Sequence, residues 1–291
     1  MMYGVKRVAR YLLGTDVAGR TLAVRPDDTF IVSYPRSGNT WTRFLIANLL
    51  HPGQAVSFAN IERLIPDAEA HSSRYMKRMR SPRFIKSHQY FDHRYRRVIY
   101  LVRDPRDVVL SYYDFSRKYG QIDDGYPLER YVGDFVHGRL SSADWGTWAE
   151  NVGSWIAARG HSPDFLLIHY EDLKAHTAQE LSRMAQFLGL ECDSKTLRHA
   201  IECSSAERLR ELEKNQGNAW VTTRNKREDI PFIGTAMAGK WQSRLPEVAV
   251  EKIELAWADL LNRLGYPLSS TRRKVDSVAE PSRLAARRVP R

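Results

Sequence analysis

The chain contains 291 residues, 43% of them hydrophobic, which is enough apolar material for one large α/β core. Its net charge of +11 predicts an anionic partner: nucleic acid, membrane headgroups or a phosphorylated small molecule. Two cysteines, Cys192 and Cys203, cannot build a disulfide framework, and no HExxH or CxxC spacing supports a metal site. The sequence has no apolar run of transmembrane length and no clear secretory cleavage site, so we expect a soluble, cytoplasmic protein.

The first elements lead to a strand, a loop and a helix. A short helix is expected around Val5–Leu13, followed by a turn at Pro26–Asp28. The apolar run Phe30–Val32 then predicts a strand, and the Pro and Gly of Tyr34–Asn39 predict a tight loop. Apolar residues at helical spacing predict a helix that opens at Thr40.

The loop between this strand and this helix has the composition of an anion site. A helix N-terminus offers unpaired N–H donors and the positive end of the helix dipole. Arg36 adds a fork of donors, and Ser37 and Thr40 add hydroxyls. A nucleotide triphosphatase loop would read GxxxxGK(S/T), whereas Asn39 follows Gly38 here, so ordinary kinases and GTPases are disfavoured. Taken alone, the loop also fits a turn capped by Ser37 or Asn39 that binds no ligand.

The next stretch combines a long connection with two buried strands. Residues 51–80 form an irregular connection with a short helix near Ile61–Ile65 and a basic cluster at Arg74–Arg80. Connections of this length tend to be functional, so we expect a substrate rim there. Strands are predicted at Arg83–Ser87 and Arg97–Val102. Polar residues stand at the ends of both strands: Lys86, His88 and Arg103.

Helices dominate the second half of the chain. Asp104-Pro105 opens a helix, because Asp caps a helix and Pro suits its first position. Periodicity predicts further helices at Leu128–Val136, Trp145–Ala158, Thr177–Leu188, Lys195–Cys203, Ala206–Leu212 and Pro246–Leu264, and a strand at Phe165–His169. The Trp145, Trp148 and Trp155 stripe is expected in the core. We predict one domain, residues 1–268, and a basic, disordered tail, residues 269–291.

The order of these elements predicts an α/β fold with a central parallel sheet flanked by helices. Ligands of such sheets bind beyond the carboxyl ends of the strands. Arg36, His88, Arg103 and Tyr170 follow the four predicted strands. We therefore expect these side chains to meet at one edge of the sheet.

Several ordered motifs resemble those of the soluble sulfotransferases, which use 3′-phosphoadenosine-5′-phosphosulfate (PAPS). YPRSGNTW at Tyr34–Trp41 resembles their 5′-phosphosulfate loop, and VRDPRDVVLSYYDF at Val102–Phe115 is similar to their 3′-phosphate motif. FIKSH at Phe84–His88 resembles the motif of the catalytic His, and YEDLK at Tyr170–Lys174 resembles an element near the adenine. FIGTAMAGKW at Phe232–Trp241 is a weaker match to FxRKGxxGxW. The resemblance implies the P-loop-like sulfotransferase fold.

The resemblance also implies residue roles. His88 would act as general base, and Lys86 and Arg36 would neutralise charge on the leaving phosphate. The residues implied in binding PAPS are Arg36, Ser37, Gly38, Asn39, Thr40, Trp41, Arg103, Ser111, Tyr170 and Ser204. No metal is implied.

Two of the departures from the family pattern change the cations of the site. Arg36 stands where the family loop usually has Lys. Arg keeps the charge but argues against proton donation to the leaving group, since Arg does not give up its proton. Gly234 and Thr235 occupy the places of the Arg and Lys that bind the 3′-phosphate. Five cations elsewhere are candidates to replace that pair: Arg224, Lys226, Arg227, Lys240 and Arg244.

We therefore predict a sulfotransferase that moves a sulfuryl group, by in-line transfer, from PAPS to a hydroxyl or amine of a small or medium acceptor. Two alternatives stay open: a non-catalytic adenosine-nucleotide-binding protein and a phosphotransferase of related fold. No specific nucleic-acid partner is expected. The acceptor and the oligomeric state are left open by the sequence, although residues 55–80, 113–148 and 215–232 are expected to form the acceptor pocket.

Overall fold

A four-stranded parallel sheet forms the centre of the computed structural model, which describes residues 17–269. The strands are β1 (Thr29–Ser33), β2 (Phe84–Ser87), β3 (Arg97–Val102) and β4 (Phe165–His169), in the order β2-β1-β3-β4. In the register of the sheet, Ile31 of β1 pairs with Lys86 of β2 and with Ile99 of β3. The carboxyl ends of all four strands therefore lie along one edge.

Helices surround this sheet. After a short 3₁₀ turn at Gly19–Thr21, they are α1 (Asn39–Leu50), α2 (Ile61–Leu64), α3 (Ser73–Arg78), α4 (Pro105–Lys118), α5 (Leu128–Val136), α6 (Trp148–Arg159), α7 (Tyr170–Ala175), α8 (Thr177–Leu188), α9 (Ser194–Cys203), α10 (Ala206–Gln216), α11 (Trp241–Arg244) and α12 (Glu247–Arg263). Within residues 17–269, none of them is long and apolar enough to cross a membrane.

The alternation of side chains along the strands divides the core into two layers. Phe30 and Val32 of β1 pack on one face of the sheet with the aromatic residues of α6 and α12. Ile31 points to the other face, where it packs with Phe44 of α1 and with residues of α8 and α10. Both faces of the sheet are thus covered by helices, which confirms the predicted α/β fold with a central parallel sheet.

Two predicted segments differ from the structure for local reasons. The basic cluster in residues 74–80 lies largely in α3, a helix capped by Ser72, whose hydroxyl accepts from the backbone N–H of Tyr75. The helix predicted from Trp145 begins at Trp148, because Thr147 and Glu150 form a capping box there. The predicted strand Phe165–His169 is confirmed as β4, and Tyr170 begins α7 directly after it. The predicted helix at Val5–Leu13 and the predicted tail beyond Ser269 lie outside the described residues.

Candidate active site

A cavity of about 1030 Å³ opens at the carboxyl edge of the sheet. The loop after β1, the ends of β2 and β3, and the start of α7 all contribute to its wall. Ten residues predicted from the sequence lie on that wall: Arg36, Gly38, Asn39, Thr40, Trp41, Lys86, His88, Arg103, Ser111 and Tyr170. The expectation that the strand ends converge is therefore correct.

The loop after β1 is held in a left-handed conformation at two positions. Arg36 has φ +69° and Gly38 has φ +98°. Within the described chain no side chain caps α1, so neither Ser37 nor Asn39 acts as the predicted cap. The Asn39 amide instead donates to the carbonyl of Ile31, at 3.1 Å, and to the hydroxyl of Ser33, at 3.2 Å. The first N–H groups of α1 are consequently left for a ligand.

Gly38 is required by its backbone and by its neighbour. A Cβ built at this position would lie 2.6 Å from Cδ2 of Tyr170. We expect Gly38→Ala to lower the free energy of unfolding by at least about 1–2 kcal/mol, the cost of a left-handed conformation for an L-residue, and to weaken nucleotide binding. Thermal unfolding measures the first effect and calorimetry the second.

Gly53→Ala is the matched control, since a Cβ at Gly53 would meet no described atom within 4 Å. It should leave both the melting temperature and the nucleotide affinity close to those of the unchanged protein. Equal behaviour of the Gly38 and Gly53 variants would contradict the assigned role of the loop.

Two arginines approach each other at the base of the cavity. The Arg36 guanidinium donates to the Ser111 hydroxyl at 3.2 Å and to the Phe232 carbonyl at 3.0 Å. Arg103 donates to the carbonyls of Arg36, at 3.3 Å, and Met237, at 3.0 Å. Burial, together with the charge of Arg103, lowers the pKa of Arg36 to about 10. Two positive charges that line one cavity favour the binding of an anion there.

Arg103 has further capacity to bind. Its Nε is buried and has no hydrogen-bond partner among the described residues. Its guanidinium carbon lies 4.3 Å from the ring centre of Tyr170, and its nearest carboxylate, Asp107, is 3.7 Å away. Arg103 is therefore a cation at the cavity wall whose hydrogen-bonding capacity is not filled by the described residues.

The structure separates the five candidate replacements for the missing cations. Lys240 and Arg244 line the cavity, whereas Arg224, Lys226 and Arg227 lie outside its wall. Burial, followed by the charge of Arg244, lowers the pKa of Lys240. Arg244 has a weak ion pair with Asp114, at 3.5 Å.

A further cation, Arg210 of α10, was missed by the sequence reasoning. It lines the cavity and donates to the carbonyl of Gly234 at 3.2 Å. No sequence motif marks Arg210, since it comes from a helix that precedes the weak fifth motif.

His88 is held in the tautomer that suits a base. Its Nδ1 lies 2.7 Å from the Ser33 carbonyl oxygen, which only accepts, so Nδ1 carries the proton and donates. Nε2 therefore carries the lone pair. Burial, followed by the charge of Lys86, lowers the pKa of His88 to about 3, so the imidazole is neutral at neutral pH.

Lys86 is bound by two carboxylates. Its ammonium donates to Asp67 at 2.8 Å and to Glu69 at 3.2 Å. Burial opposes the charge on Lys86, but Asp67 and Glu69 outweigh burial, so the pKa of Lys86 is raised. Lys86 stays charged at the cavity wall, although in this structure its bonds go to the two acidic residues.

Aromatic residues form another part of the cavity wall. The rings of Trp41 and Tyr170 meet edge to face, with centres 6.0 Å apart, and the Lys174 ammonium lies 5.6 Å from the Trp41 ring centre. Trp148 and Trp155 are buried as predicted, whereas Trp145 is only partly buried: it packs against the core and also lines the cavity.

Two predicted binding residues do not reach the wall through their side chains. Ser204 is fully buried, and its hydroxyl accepts from the Asn48 amide at 3.1 Å. Its neighbour Ser205 lines the cavity instead. The Ser37 side chain is also buried, and its hydroxyl has no partner within residues 17–269. Over the same residues, no group of three or more His, Cys, Asp or Glu is placed to hold a metal ion.

Comparisons with known proteins agree with this geometry. Residues 26–265 match the family model described as the sulfotransferase domain. Sulfotransferase 1E1 from Bos taurus is 27% identical over 249 residues, covering 79% of this chain and 82% of the relative. The 3-beta-hydroxysteroid sulfotransferase from Cavia porcellus is 27% identical over 258 residues, covering 84% and 86%.

Solved structures share the fold. Retinol dehydratase in complex with androsterone and the inactive cofactor PAP has a TM-score of 0.69 at 20% identity, covering 87% of this chain and 85% of that chain. A mouse sulfotransferase complexed with PAP has a TM-score of 0.67 at 18% identity, covering 90% and 91%. Together with the match of the family model, these findings confirm the predicted resemblance: the chain belongs to the sulfotransferase family.

Proposed function

We propose that the cavity binds PAPS and that the protein transfers its sulfuryl group to a hydroxyl or amine of a small or medium acceptor. One observation carries the proposal: the neutral imidazole of His88, the uncapped start of α1 and the guanidiniums of Arg36 and Arg103 line one cavity. Transfer of a group from an anionic co-substrate to a neutral nucleophile requires two things: a base for the proton of the nucleophile, and cations and N–H groups that bind the anion.

The residues of the wall fit such a donor. The Nε of Arg103 has no partner among the described residues, and the pKa values of Arg36 and Lys240 are lowered. A bound anion would stabilise the charged forms of these side chains. We assign the 5′-phosphosulfate to Arg36, the N–H groups from Ser37 to Thr40 and the Thr40 hydroxyl. The 3′-phosphate is assigned to Arg103 and Ser111, and the adenine to Trp41 and Tyr170. Ser204 is left out of this set because its hydroxyl is bound to Asn48 in the core.

When bound, PAPS supplies the sulfuryl group and an anionic leaving group. His88 would accept the proton of the acceptor at Nε2, since Nδ1 is committed to the Ser33 carbonyl. Arg36 and Lys86 would stabilise the charge on the leaving side. The proposed reaction needs no metal ion, and we propose a cytoplasmic location for it.

Lys240 is proposed to replace part of the positive charge missing at Gly234 and Thr235. We expect Lys240→Met to weaken PAP binding about 2- to 5-fold, the effect of about 0.5–1 kcal/mol for a partly exposed ion pair. The difference in PAP affinity between the variant and the unchanged protein should become smaller as salt is added, because salt screens exposed charges. Calorimetric titration at two ionic strengths measures both.

Lys226→Met serves as the control for that prediction, since Lys226 lies outside the cavity wall and packs 4.7 Å from the ring centre of Tyr119. Its PAP affinity should match that of the unchanged protein. Equal losses in the two lysine variants would mean that only net charge matters and would remove Lys240 from the site.

The acceptor is proposed to enter on the side of His88. Parts of all three segments predicted for its pocket line the cavity, including Asp67, Tyr119, Trp145 and Trp220. Retinol dehydratase has been solved with androsterone and with retinol, and each is a medium-sized alcohol. We propose an acceptor of comparable size.

The test is incubation of the protein with ³⁵S-labelled PAPS and a panel of phenols, steroid alcohols, sugars and amines. We expect labelled product from at least one class, and none without enzyme. Binding of PAP without transfer to any acceptor would favour the nucleotide-binding alternative. Transfer of label from γ-³²P-ATP that depends on magnesium would favour the phosphotransferase.

A further inference from the structure

The segment Pro66–Glu69 extends the sheet beyond its edge strand. The Lys86 N–H donates to the Pro66 carbonyl at 2.9 Å, and the Ala68 N–H donates to the Lys86 carbonyl at 3.0 Å, which forms a parallel bridge. Side chains two residues apart share a face in such a pairing. Asp67 and Glu69 therefore lie on one face beside Lys86.

The Glu69 carboxyl group then contacts three consecutive residues. Its Oε1 accepts from the Ser87 hydroxyl and from the His88 backbone N–H, both at 2.9 Å. Its Oε2 accepts from the Lys86 ammonium at 3.2 Å. A single side chain thus bonds the end of β2, where two of the three residues assigned to the chemistry, Lys86 and His88, are located.

The contacts of Glu69 are not those of a surface ion pair. Its side chain is 15% exposed, it lines the cavity, and it competes with Asp67 for the same ammonium. Burial, opposed by Lys86 and reinforced by Asp67, raises the pKa of Glu69 to about 7. The other groups that face it are His88, which donates through its N–H, and Tyr95, whose hydroxyl is 3.4 Å from that of Ser87.

We propose that Glu69 is a positioning residue of the active site: it fixes the His88 backbone and the Lys86 ammonium so that the imidazole and the cation face the cavity in a set arrangement. This inference rests on the proposed function. Glu69 acts through His88 and Lys86 and is not assigned a contact with either substrate. A displacement of about 1 Å in catalytic groups can cost about 10²-fold in rate, so such a role has a measurable consequence.

Two substitutions separate the contacts. Glu69→Gln keeps an oxygen that can accept from the His88 N–H and the Ser87 hydroxyl, but it presents an amide to Lys86. Glu69→Ala removes both acceptor oxygens, and with them all three hydrogen bonds, and leaves the His88 N–H without this partner. We expect kcat to fall about tenfold in Glu69→Gln and about 10²-fold in Glu69→Ala, with PAP affinity in both within about twofold of the unchanged protein.

Glu254→Gln is a closely matched control. The buried Glu254 carboxylate also accepts from a cation, a backbone N–H and a hydroxyl, since it bonds Arg106 Nη1 at 2.6 Å, Ser269 N at 3.0 Å and Ser269 Oγ at 2.8 Å. It lies outside the cavity wall. A purely structural effect of losing such a carboxylate would appear in both variants, whereas a positioning effect would appear in the Glu69 variants alone.

A second readout does not depend on turnover. The ring signals of His88 can be assigned in ¹³C-histidine-labelled protein by their loss in His88→Ala. We expect these signals to shift in Glu69→Gln and to stay unchanged in Glu254→Gln. In the unchanged protein kcat should rise as the pH is raised through 7, because the Glu69 carboxyl group loses its proton. This rise of kcat with pH should be missing in Glu69→Gln.

The proposal is overturned if Glu69→Gln shows the original kcat, pH profile and His88 signals. It is also overturned if the Glu69 and Glu254 variants lose the same activity and melting temperature, because Glu69 would then be structural only. If the unchanged protein transfers sulfate to no acceptor, the proposed function fails instead, and the His88 signals still decide whether Glu69 sets the geometry of β2.

Discussion

Replacing His88 by alanine is expected to lower kcat for sulfuryl transfer about 10²- to 10⁴-fold, the usual contribution of a general base. The structure gives the reason. The Ser33 carbonyl fixes the proton on Nδ1, and the low pKa of about 3 keeps Nε2 free to accept a proton from the acceptor. Steady-state kinetics with the acceptor found in the panel measure the loss. PAP affinity should change by less than about twofold, since the imidazole is not assigned to the nucleotide.

His137→Ala is the control for that result. His137 also bonds a backbone carbonyl through Nδ1, at 2.6 Å to Gly133, but it lies at the end of α5 and outside the cavity wall. Its substitution should leave kcat close to the original value. Full activity in the His88 variant would remove the base from the mechanism and leave positioning and charge as the source of the rate.

Replacing Arg103 by alanine is expected to weaken PAP binding by about 1.5–3 kcal/mol, the range for a hydrogen bond to a charged group. That range corresponds to roughly 10- to 150-fold in Kd. Arg103 lines the cavity, has a buried Nε without a partner among the described residues, and contacts the Tyr170 ring and the Met237 carbonyl. Calorimetric titration with PAP gives the loss directly.

Arg159 supplies a matched control for Arg103. Its guanidinium also donates to backbone carbonyls, those of Tyr95 and Arg96, and its Nε is likewise buried without a partner within the described chain. Because Arg159 is outside the cavity wall, Arg159→Ala should bind PAP normally. An Arg103 variant that binds PAP as tightly as the Arg159 variant would contradict the assignment of the 3′-phosphate.

The convergence of the site could be predicted because it follows from two local patterns. Short apolar runs predicted the strands, and parallel strands place their carboxyl ends at one edge. Arg36, His88, Arg103 and Tyr170 were therefore placed together correctly from the sequence. The loop of Arg36 to Thr40 was also recognisable, because its order of residue types is specific.

The contacts that complete the site were not predictable in this way. Glu69 reaches Lys86 and His88 across 17 and 19 residues of chain, from an irregular segment that has no periodicity. Arg210 likewise approaches the cavity from a helix outside the motifs, and the sequence named Lys240 only as one of five candidate cations. The sequence predicted Ser204 at the nucleotide, because it does not show which of two adjacent serines at a helix end faces a cavity. In the structure Asn48 donates to the Ser204 hydroxyl in the core, and Ser205 lines the cavity.

The most direct test of the central claim is calorimetric titration of the purified, full-length protein with 3′,5′-bisphosphoadenosine, repeated with ATP under the same conditions. We expect low-micromolar or tighter binding of the bisphosphate and binding of ATP that is at least about tenfold weaker, a difference of about 1.4 kcal/mol. No binding of the bisphosphate, or tighter binding of ATP, would contradict the assignment of PAPS as the donor.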